Sequence, residues 1–316
     1  MPPRIVFLDR ETLPVPVRAV NVPHEWAQYP LTTPAEVVSR LEGAQVAITN
    51  KVPLDAATIA ALPALKLIAV AATGYNQVDL VAARQHGVTV CNIRDYAIAG
   101  VAEHALMLML ALKRQLPAYR HAVAAGDWQR APGFCLFGAP MHDLAGGTLV
   151  LLGSGTLAQA TANLAQAFGM RIVYAERKGA TQIRTGYRAF EEALAQADVL
   201  SLHCPLNEQT RNVISARELA LLKPGCVLIN TARGGLVDEA ALLAALQSGQ
   251  LGGAGLDVLI EEPPRNGNPL LDVNLPNLII TPHVAWASVE TMSVLAGQLI
   301  DNIEAFLRGE PRNVLV

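Results

Sequence analysis

The chain has 316 residues, 52% hydrophobic and 16% charged, with a formal net charge of −3. That is enough apolar content for two sizeable cores, and without a basic stripe neither a nucleic acid nor an anionic membrane is expected as a partner. The mean hydropathy is positive, yet no run reaches the ~18 uninterrupted apolar residues of a spanning helix.

The N-terminal MPPRIVFLDR enters a strand-like run at once, without a signal-peptide layout. Apolar runs at 5–8, 46–49, 67–71 and 88–91 predict strands, and 34–41, 55–62 and 78–86 predict helices between them. Such alternation builds parallel βαβ units. The third of these helices has its own punctuation: Asn76 as cap, Asp79 three residues on, and Gly87 to close it. Residues 102–112, which include Glu103 and His104, predict a buried core helix. The rhythm then breaks. Residues 119–143 carry Gly126, Pro132, Gly133, Gly138 and Pro140 among Tyr119, Trp128, Phe134 and Phe137. An irregular excursion at about 119–146 is expected, either an arm that covers another surface or a loop packed on its own domain.

From Thr148 the alternation resumes. Strands are predicted at 148–152, 172–175, 199–202, 227–229, 254–256 and 278–280, with helices at 157–168, 190–195, 216–222 and 239–247. Six strands with right-handed crossovers suit a dinucleotide-binding sheet of order 3-2-1-4-5-6. A last helix at 288–307 is expected to return to the first domain. The expected fold is therefore α/β, with two doubly wound parallel-sheet domains of the Rossmann or flavodoxin-like kind and an interdomain cleft. Their expected bounds are 1–99 plus 286–316 for a substrate domain and 100–285 for a cofactor domain. Cys91, Cys135, Cys204 and Cys226 are scattered with no CxxC spacing, so no metal site or disulfide framework is expected, and a reducing cytoplasm is the simplest compartment.

Gly153, Gly155 and Ala158 form a G-x-G-x-x-A pattern between a predicted strand and a predicted helix, the context such a pattern needs. Gly153 allows the tight turn, Gly155 lets backbone approach a pyrophosphate, and Ala158 lets helix and strand pack closely. The N–H groups near Thr156 and Leu157 face the phosphates with the helix dipole behind them. Glu176 ends the next strand, where an acid can accept ribose hydroxyls and disfavour a 2′-phosphate, which points to NAD. Arg177 and Lys178 follow it and could hold that phosphate, which keeps NADP open.

Ligands of such sheets bind beyond the carboxyl ends of the strands. Arg233 follows the strand at 227–229, Asp257 and then Glu261 and Glu262 follow 254–256, and His283 follows 278–280. Any one of them alone reads as a solvated loop residue. At three neighbouring strand ends beside a dinucleotide loop, they read together as a site for an anionic substrate. Asp257 could instead be a structural turn acid, and His203, Pro205 and Thr210 could merely shape the adenine side.

With these residues in view, the sequence resembles the D-isomer-specific 2-hydroxyacid dehydrogenase family. The matching segments are AATGYNQVDL, VAEHALMLMLALKR, the glycine loop, LHCPLNEQT, KPGCVLINTARGGLVDE, AGLDVLIEEPP and TPHVAW, spanning nearly the whole chain. LDRETL, ITNKV, AERKGA and TPHVAWAS resemble the branch of glycerate dehydrogenases and hydroxypyruvate reductases, which implies hydroxypyruvate or glyoxylate as substrates. The resemblance implies that Arg233 binds substrate, that His283 is the acid/base, and that Glu262, the acid directly before the proline, orients it. It places Thr73 and Gly74 at the substrate carboxylate. It adds Val101, Cys204, Thr231 and Ala232 to the cofactor contacts above, with Asp257, His283 and Ala285 toward the nicotinamide. Two glycines usual in the family's loop are here Val150 and Ala158. The resemblance further implies a homodimer, for which the aromatic arm is suited.

The expected reaction is a reversible hydride transfer between a nicotinamide and a small 2-oxo acid, with Arg233 on the carboxylate and His283 protonating the carbonyl oxygen. Negative Glu262 should favour the imidazolium. Trp286 and Tyr75 could line the substrate pocket or serve the core. A different class of function is a dinucleotide-sensing, corepressor-like binding protein of the same fold. Against it stands the lack of an obvious appended regulatory segment, and the short C-terminus PRNVLV likewise lacks the extra domain of many phosphoglycerate enzymes.

Overall fold

The computed structural model describes residues 2–316. The chain divides into two compact units, one running up to Tyr96 and joined by Ala287–Val316, the other Ala97–Trp286.

In the first unit, β1 (Arg4–Phe7), β2 (Glu25–Gln28), β3 (Val46–Thr49), β4 (Leu67–Val70) and β5 (Thr89–Cys91) form a parallel sheet of order β2-β1-β3-β4-β5. β3 and β4 are buried at every position, as continuous apolar runs in a sheet covered on both faces should be. Short helices connect the strands: α1 (Val37–Leu41), α2 (Ala56–Ala60) and α3 (Leu80–Gln85). Ile59 and Ala83 from two of them pack with Val6, Ala47, Ile68 and Val90 of the sheet. The cap of α3 differs from expectation. Asp79, not Asn76, starts the helix and accepts from the Ala82 amide at 2.9 Å, because its carboxylate stands at the right offset from the third helical N–H. The C-terminal helix (Val289–Leu307), capped by Ser288, belongs to this unit. Asn302 donates to the Asn92 carbonyl, and Leu315 and Val316 hydrogen-bond with Val90 of β5.

The second unit opens with α4 (Ile98–Lys113), α5 (Leu116–Ala124) and α6 (Asp127–Arg130). It continues with β6 (Thr148–Leu152), α7 (Thr156–Ala167), β7 (Arg171–Ala175), β8 (Tyr187–Arg188), α8 (Phe190–Leu194), β9 (Val199–Leu202), α9 (Ala216–Leu221), β10 (Cys226–Asn230), α10 (Glu239–Gln247), β11 (Leu251–Leu256) and β12 (Leu278–Ile280). Its sheet has the order β12-β11-β10-β9-β6-β7-β8, all parallel. Alternate residues of the central strands serve opposite cores. Val150, Leu200 and Leu228 pack with Leu194, Leu219 and Leu242 on one face. Leu149, Val199, Val227 and Ile229 pack with Leu108, Met109 and Leu112 of α4 and Ala162 and Ala165 of α7 on the other. Each such buried aliphatic side chain contributes about 1.5–3 kcal/mol of transfer free energy.

Two further findings correct the sequence reading. The strand at 199–202 was expected at the sheet edge, yet it lies between β6 and β10. The third strand is instead two-residue β8, too short to show a hydrophobic period. The excursion after α4 is also more ordered than expected: α5 and α6 occupy its first half. Its aromatics still point outward, with Phe134 92% and Phe137 85% exposed, so these two do not pack on their own unit.

Candidate active site

The loop after β6 is shaped by a backbone approach that only glycine allows. Gly153 has φ +111°, and a Cβ there would lie 2.6 Å from the His203 carbonyl oxygen. The end of β9 is thereby pressed against the turn, which puts His203 and Cys204 beside the glycine loop rather than at a sheet edge. Gly155 caps α7 without any side-chain cap bond, and the space around it is open. The first N–H groups of a twelve-residue helix, at Thr156 and Leu157, therefore lie unblocked at its positive end. Nearby in sequence to the β10 end, the Thr231 hydroxyl is buried with no hydrogen-bond partner among the described residues. An open cradle of donors and an orphaned hydroxyl fit a dinucleotide with its pyrophosphate on α7.

Thr210 holds its own loop, donating to the Pro205 carbonyl at 2.7 Å and accepting from the Asn207 amide at 2.8 Å. Val101 is buried in α4. Burial pushes the Cys204 thiol up to about 11 and that of Cys226 to about 12, so neither is a thiolate nucleophile. Glu176, at the end of β7, is gripped by Arg184, a residue the sequence reading passed over, at 2.7 and 2.8 Å. Lys178 is tied to Glu218 at 2.9 Å, and the Arg177 side chain is exposed.

The three catalytic candidates follow β10, β11 and β12, which are neighbours in the sheet. Buried Asn230 ends β10 and clamps the next turn, accepting from the Ala232 amide at 3.0 Å and donating to the Arg233 carbonyl at 2.8 Å. Arg233 leaves this turn exposed, with one guanidinium N–H on the Ala232 carbonyl and no carboxylate partner among the described residues. Gly234 then passes so close to the loop after β11 that a Cβ would sit 2.0 Å from the Leu259 carbonyl carbon. That second loop is tied down by Glu239, which accepts from the Ile260 amide at 2.8 Å and from Asn268 at 2.7 Å. Within it Glu261 engages Asn266, and Glu262 turns the other way.

Glu262 Oε2 meets His283 Nδ1 at 2.6 Å, while its Oε1 accepts from the Leu259 amide at 2.9 Å. His283 itself stands at φ +56°, a left-handed conformation that costs a non-glycine residue about 1–3 kcal/mol. The loop that holds it there is built on Asp257, buried at the end of β11. Its carboxylate accepts from the Val284 and Ala285 amides at 2.9 and 2.8 Å and from the Thr281 hydroxyl at 2.5 Å. His104 of α4 reaches the same hydroxyl at 2.9 Å, and Trp286 donates to the His283 carbonyl at 2.9 Å. Asp257 thus gives three of its acceptor positions to the loop around His283. In the first unit, after β4, Thr73 donates through its hydroxyl to the Ile93 carbonyl, and the amides of Thr73 and Gly74 carry no hydrogen bond among the described residues.

A strand-end arginine, a carboxylate–imidazole pair and a dinucleotide cradle now stand on one sheet. The sequence profile of the "D-isomer specific 2-hydroxyacid dehydrogenase, NAD binding domain" matches residues 106–285. The chain belongs to the D-isomer-specific 2-hydroxyacid dehydrogenase family. It is 51% identical over its full length to the glycerate dehydrogenase of Methylorubrum extorquens, covering 99% of that protein. It is 37% identical to a hydroxypyruvate reductase of Blautia hydrogenotrophica, over 90% of this chain and 89% of that one. Among solved structures it superimposes with a TM-score of 0.83 on the NADPH-dependent glyoxylate/hydroxypyruvate reductase of Sinorhizobium meliloti, at 31% identity over 99% of this chain and 98% of that one. This D-2-hydroxyacid dehydrogenase homologue is accordingly an NAD(P)-dependent oxidoreductase, and the corepressor-like reading is not favoured. No helix among the described residues is long and apolar enough to cross a membrane.

Asn230, Glu239, His104 and Thr281, which hold the loops around these candidates, were not singled out for that role in the sequence. Asn230 carried a usable signal, since an Asn at a strand end favours a turn bridged by its own side chain. Glu239, His104 and Thr281 act across 20 or more residues and carried none.

Proposed function

We propose that this dehydrogenase reduces hydroxypyruvate, glyoxylate or a similarly small 2-oxo acid to the D-2-hydroxy acid, reversibly. The 2.6 Å contact between Glu262 and His283 carries this reading. It occupies Nδ1 of the ring and leaves Nε2 as the nitrogen that exchanges a proton with substrate. The nicotinamide, when bound, supplies or accepts the hydride at the substrate's C2. Arg233, lacking an internal carboxylate, offers its planar fork to the substrate carboxylate and polarises the adjacent carbonyl. Protonated His283 gives its proton to the carbonyl oxygen as the alkoxide develops and takes it back in the reverse direction. Asp257 and Trp286 keep the imidazole in its strained position, so less alignment is left to chance at the moment of reaction. The unpaired Thr73 and Gly74 amides are a donor pair of the kind a carboxylate takes. Loss of NADH or NADPH absorbance against a panel of 2-oxo acids tests the assignment. Turnover should be highest for the two- and three-carbon acids, and no turnover with any 2-oxo acid would reject it.

The exposed Trp128, Phe134 and Phe137 of the segment after α4 support a homodimer, since apolar surface of this kind marks an association site. Light scattering should give twice the 33.6 kDa chain mass, and F134D/F137D should lower it. Scattered unpaired cysteines are consistent with a reducing cytoplasm as the place of work.

A further inference from the structure

Glu176 stands where an acid would receive the ribose hydroxyls of NAD, but its carboxylate is already full. Oε1 accepts from the Arg177 amide and Arg184 Nη2, both at 2.8 Å. Oε2 accepts from Arg184 Nε at 2.7 Å and from the Arg184 amide at 3.2 Å. A carboxylate offers about four lone-pair positions, and here four donors occupy them. Arg184 holds the Glu176 carboxyl down at about 2, chiefly by its side-chain hydrogen bonds, so the pair stays ionised and mutually neutralised.

The guanidinium is braced from a second side. It lies 3.9 Å over the ring of Tyr187, whose hydroxyl donates to Ser154 Oγ in the glycine loop at 2.6 Å. Ser154, Tyr187, Arg184 and Glu176 therefore form one continuous array from the phosphate cradle to the end of β7. Arg184 is half exposed, and Nη1 with the second hydrogen of Nη2 remain for a ligand. Lys178 is committed to the buried Glu218 carboxylate, and Arg177 spends its amide, not its side chain, on Glu176.

We infer that Arg184, rather than Arg177 or Lys178, decides which dinucleotide this dehydrogenase takes, and that it favours the 2′-phosphorylated form. The inference rests on the reading that a dinucleotide binds at the glycine loop. A ribose bearing free hydroxyls must displace a bidentate, charge-assisted fork before Glu176 can accept from it. A 2′-phosphate meets a cation with donors to spare, and the acid that would repel it is already compensated.

Isothermal titration of NADPH and NADH into the whole protein tests this without turnover. Wild type should bind NADPH at least as tightly as NADH. R184A should weaken NADPH by roughly tenfold or more, the worth of a charged hydrogen bond, while NADH holds or improves as Glu176 is freed. R184K should retain part of the NADPH affinity, and R177A should leave the ratio within about threefold. R184M keeps an unbranched side chain without the charge and serves as the charge-loss variant if R184A proves unstable. A wild-type preference for NADH, or an R184A or R184M ratio like that of wild type, overturns the inference and leaves Arg184 a structural brace. If wild type binds neither dinucleotide, the reading beneath it falls as well.

Discussion

Gly234→Ala is the most direct probe of whether the Arg233 and Glu262 loops work as one unit. The perturbation is a single methyl group on the residue after the candidate carboxylate-binding arginine. At that position a Cβ would lie 2.0 Å from the Leu259 carbonyl carbon, 2.1 Å from its oxygen and 2.5 Å from the Ile260 nitrogen. These are backbone atoms, so no side chain can swing aside. Ordinary contact begins near 3.4 Å, so the two loops must part by more than an ångström. The Leu259–Ile260 segment cannot yield alone, because Glu262 holds the Leu259 amide and Glu239 the Ile260 amide. The separation is therefore passed on to Arg233 and to the Glu262–His283 pair. A misplacement of about 1 Å at reacting groups costs on the order of 10²-fold in rate, and overpacking of this kind costs about 1–3 kcal/mol of stability. Steady-state kinetics with a small 2-oxo acid should show kcat/KM reduced by roughly 10²-fold. Dinucleotide titration, run alongside, separates a loss of alignment between the candidate catalytic groups from a loss of the proposed cofactor contacts at Thr231 and Ala232. A folded G234A protein with near-native kcat/KM would show that the close approach of the loops does not set the catalytic geometry.

Further outcomes follow from the same geometry. His283→Gln should lower turnover by roughly 10²–10⁴-fold, the usual worth of a general acid, and near-native turnover would remove it from that role. Arg233→Lys should raise KM and lower kcat/KM, because an ammonium cannot reproduce the planar fork; unchanged kinetics would mean that Arg233 does not grip the carboxylate. Glu262→Gln replaces the carboxylate that meets His283 Nδ1 at 2.6 Å, so kcat/KM should fall by roughly tenfold or more as the ring loses its charged partner, whereas unchanged kinetics would separate the two residues functionally. In the first unit, Arg18 holds the Glu304 carboxyl down at about 2 through hydrogen bonds at 2.6 and 3.0 Å. A depressed carboxylate stabilises the fold above its ordinary value near 4.5, and that stability is lost as pH falls toward 2. With Arg18 itself 44% exposed, R18A should cost about 1–2 kcal/mol near neutral pH, and the gap to wild type should close toward pH 2; a gap independent of pH would assign the loss to packing.

What the sequence made legible follows a physical rule. Strands buried on both faces announce themselves as apolar runs, so β3, β4, β6, β9 and β10 were readable, and so was the glycine loop that joins β6 to α7. Segments stabilised by pairing alone were not. β2 reads Glu25-Trp26-Ala27-Gln28 and β8 is Tyr187-Arg188; both lie at sheet edges, where burial imposes no pattern. Missing β8 had a chemical consequence, for it misplaced the strand at 199–202 and hid the Arg184–Tyr187 array beside Glu176. Arg233, the Glu261–Glu262 pair and His283 stood out as candidates because their charge is conspicuous at the mouths of apolar strands, and the family resemblance singled out Glu262 from the pair. Asp257 was noticed but its role was left open, since a carboxylate looks the same in sequence whether it faces a ligand or a loop.

Asp257 shows why that distinction matters for the chemistry. His283 sits in a left-handed conformation it would not hold unaided, and the strain must be offset by the loop around it. Three acceptor bonds from one buried carboxylate to residues 281, 284 and 285 fix both flanks of the histidine, and Trp286 fixes its carbonyl. Glu262 alone could orient the ring, but only about a backbone already in place. The pairing at 2.6 Å is thus the last step of a hierarchy in which β11 supplies both acids, Asp257 to set the backbone and Glu262 to set the imidazole. Because both acids issue from one strand end, a displacement of β11 would shift His283 and its partner together, preserving their contact while moving them relative to Arg233. The close pass of Gly234 over Leu259 couples β10 to the same loop, which is why G234A is expected to disturb all three candidate groups at once.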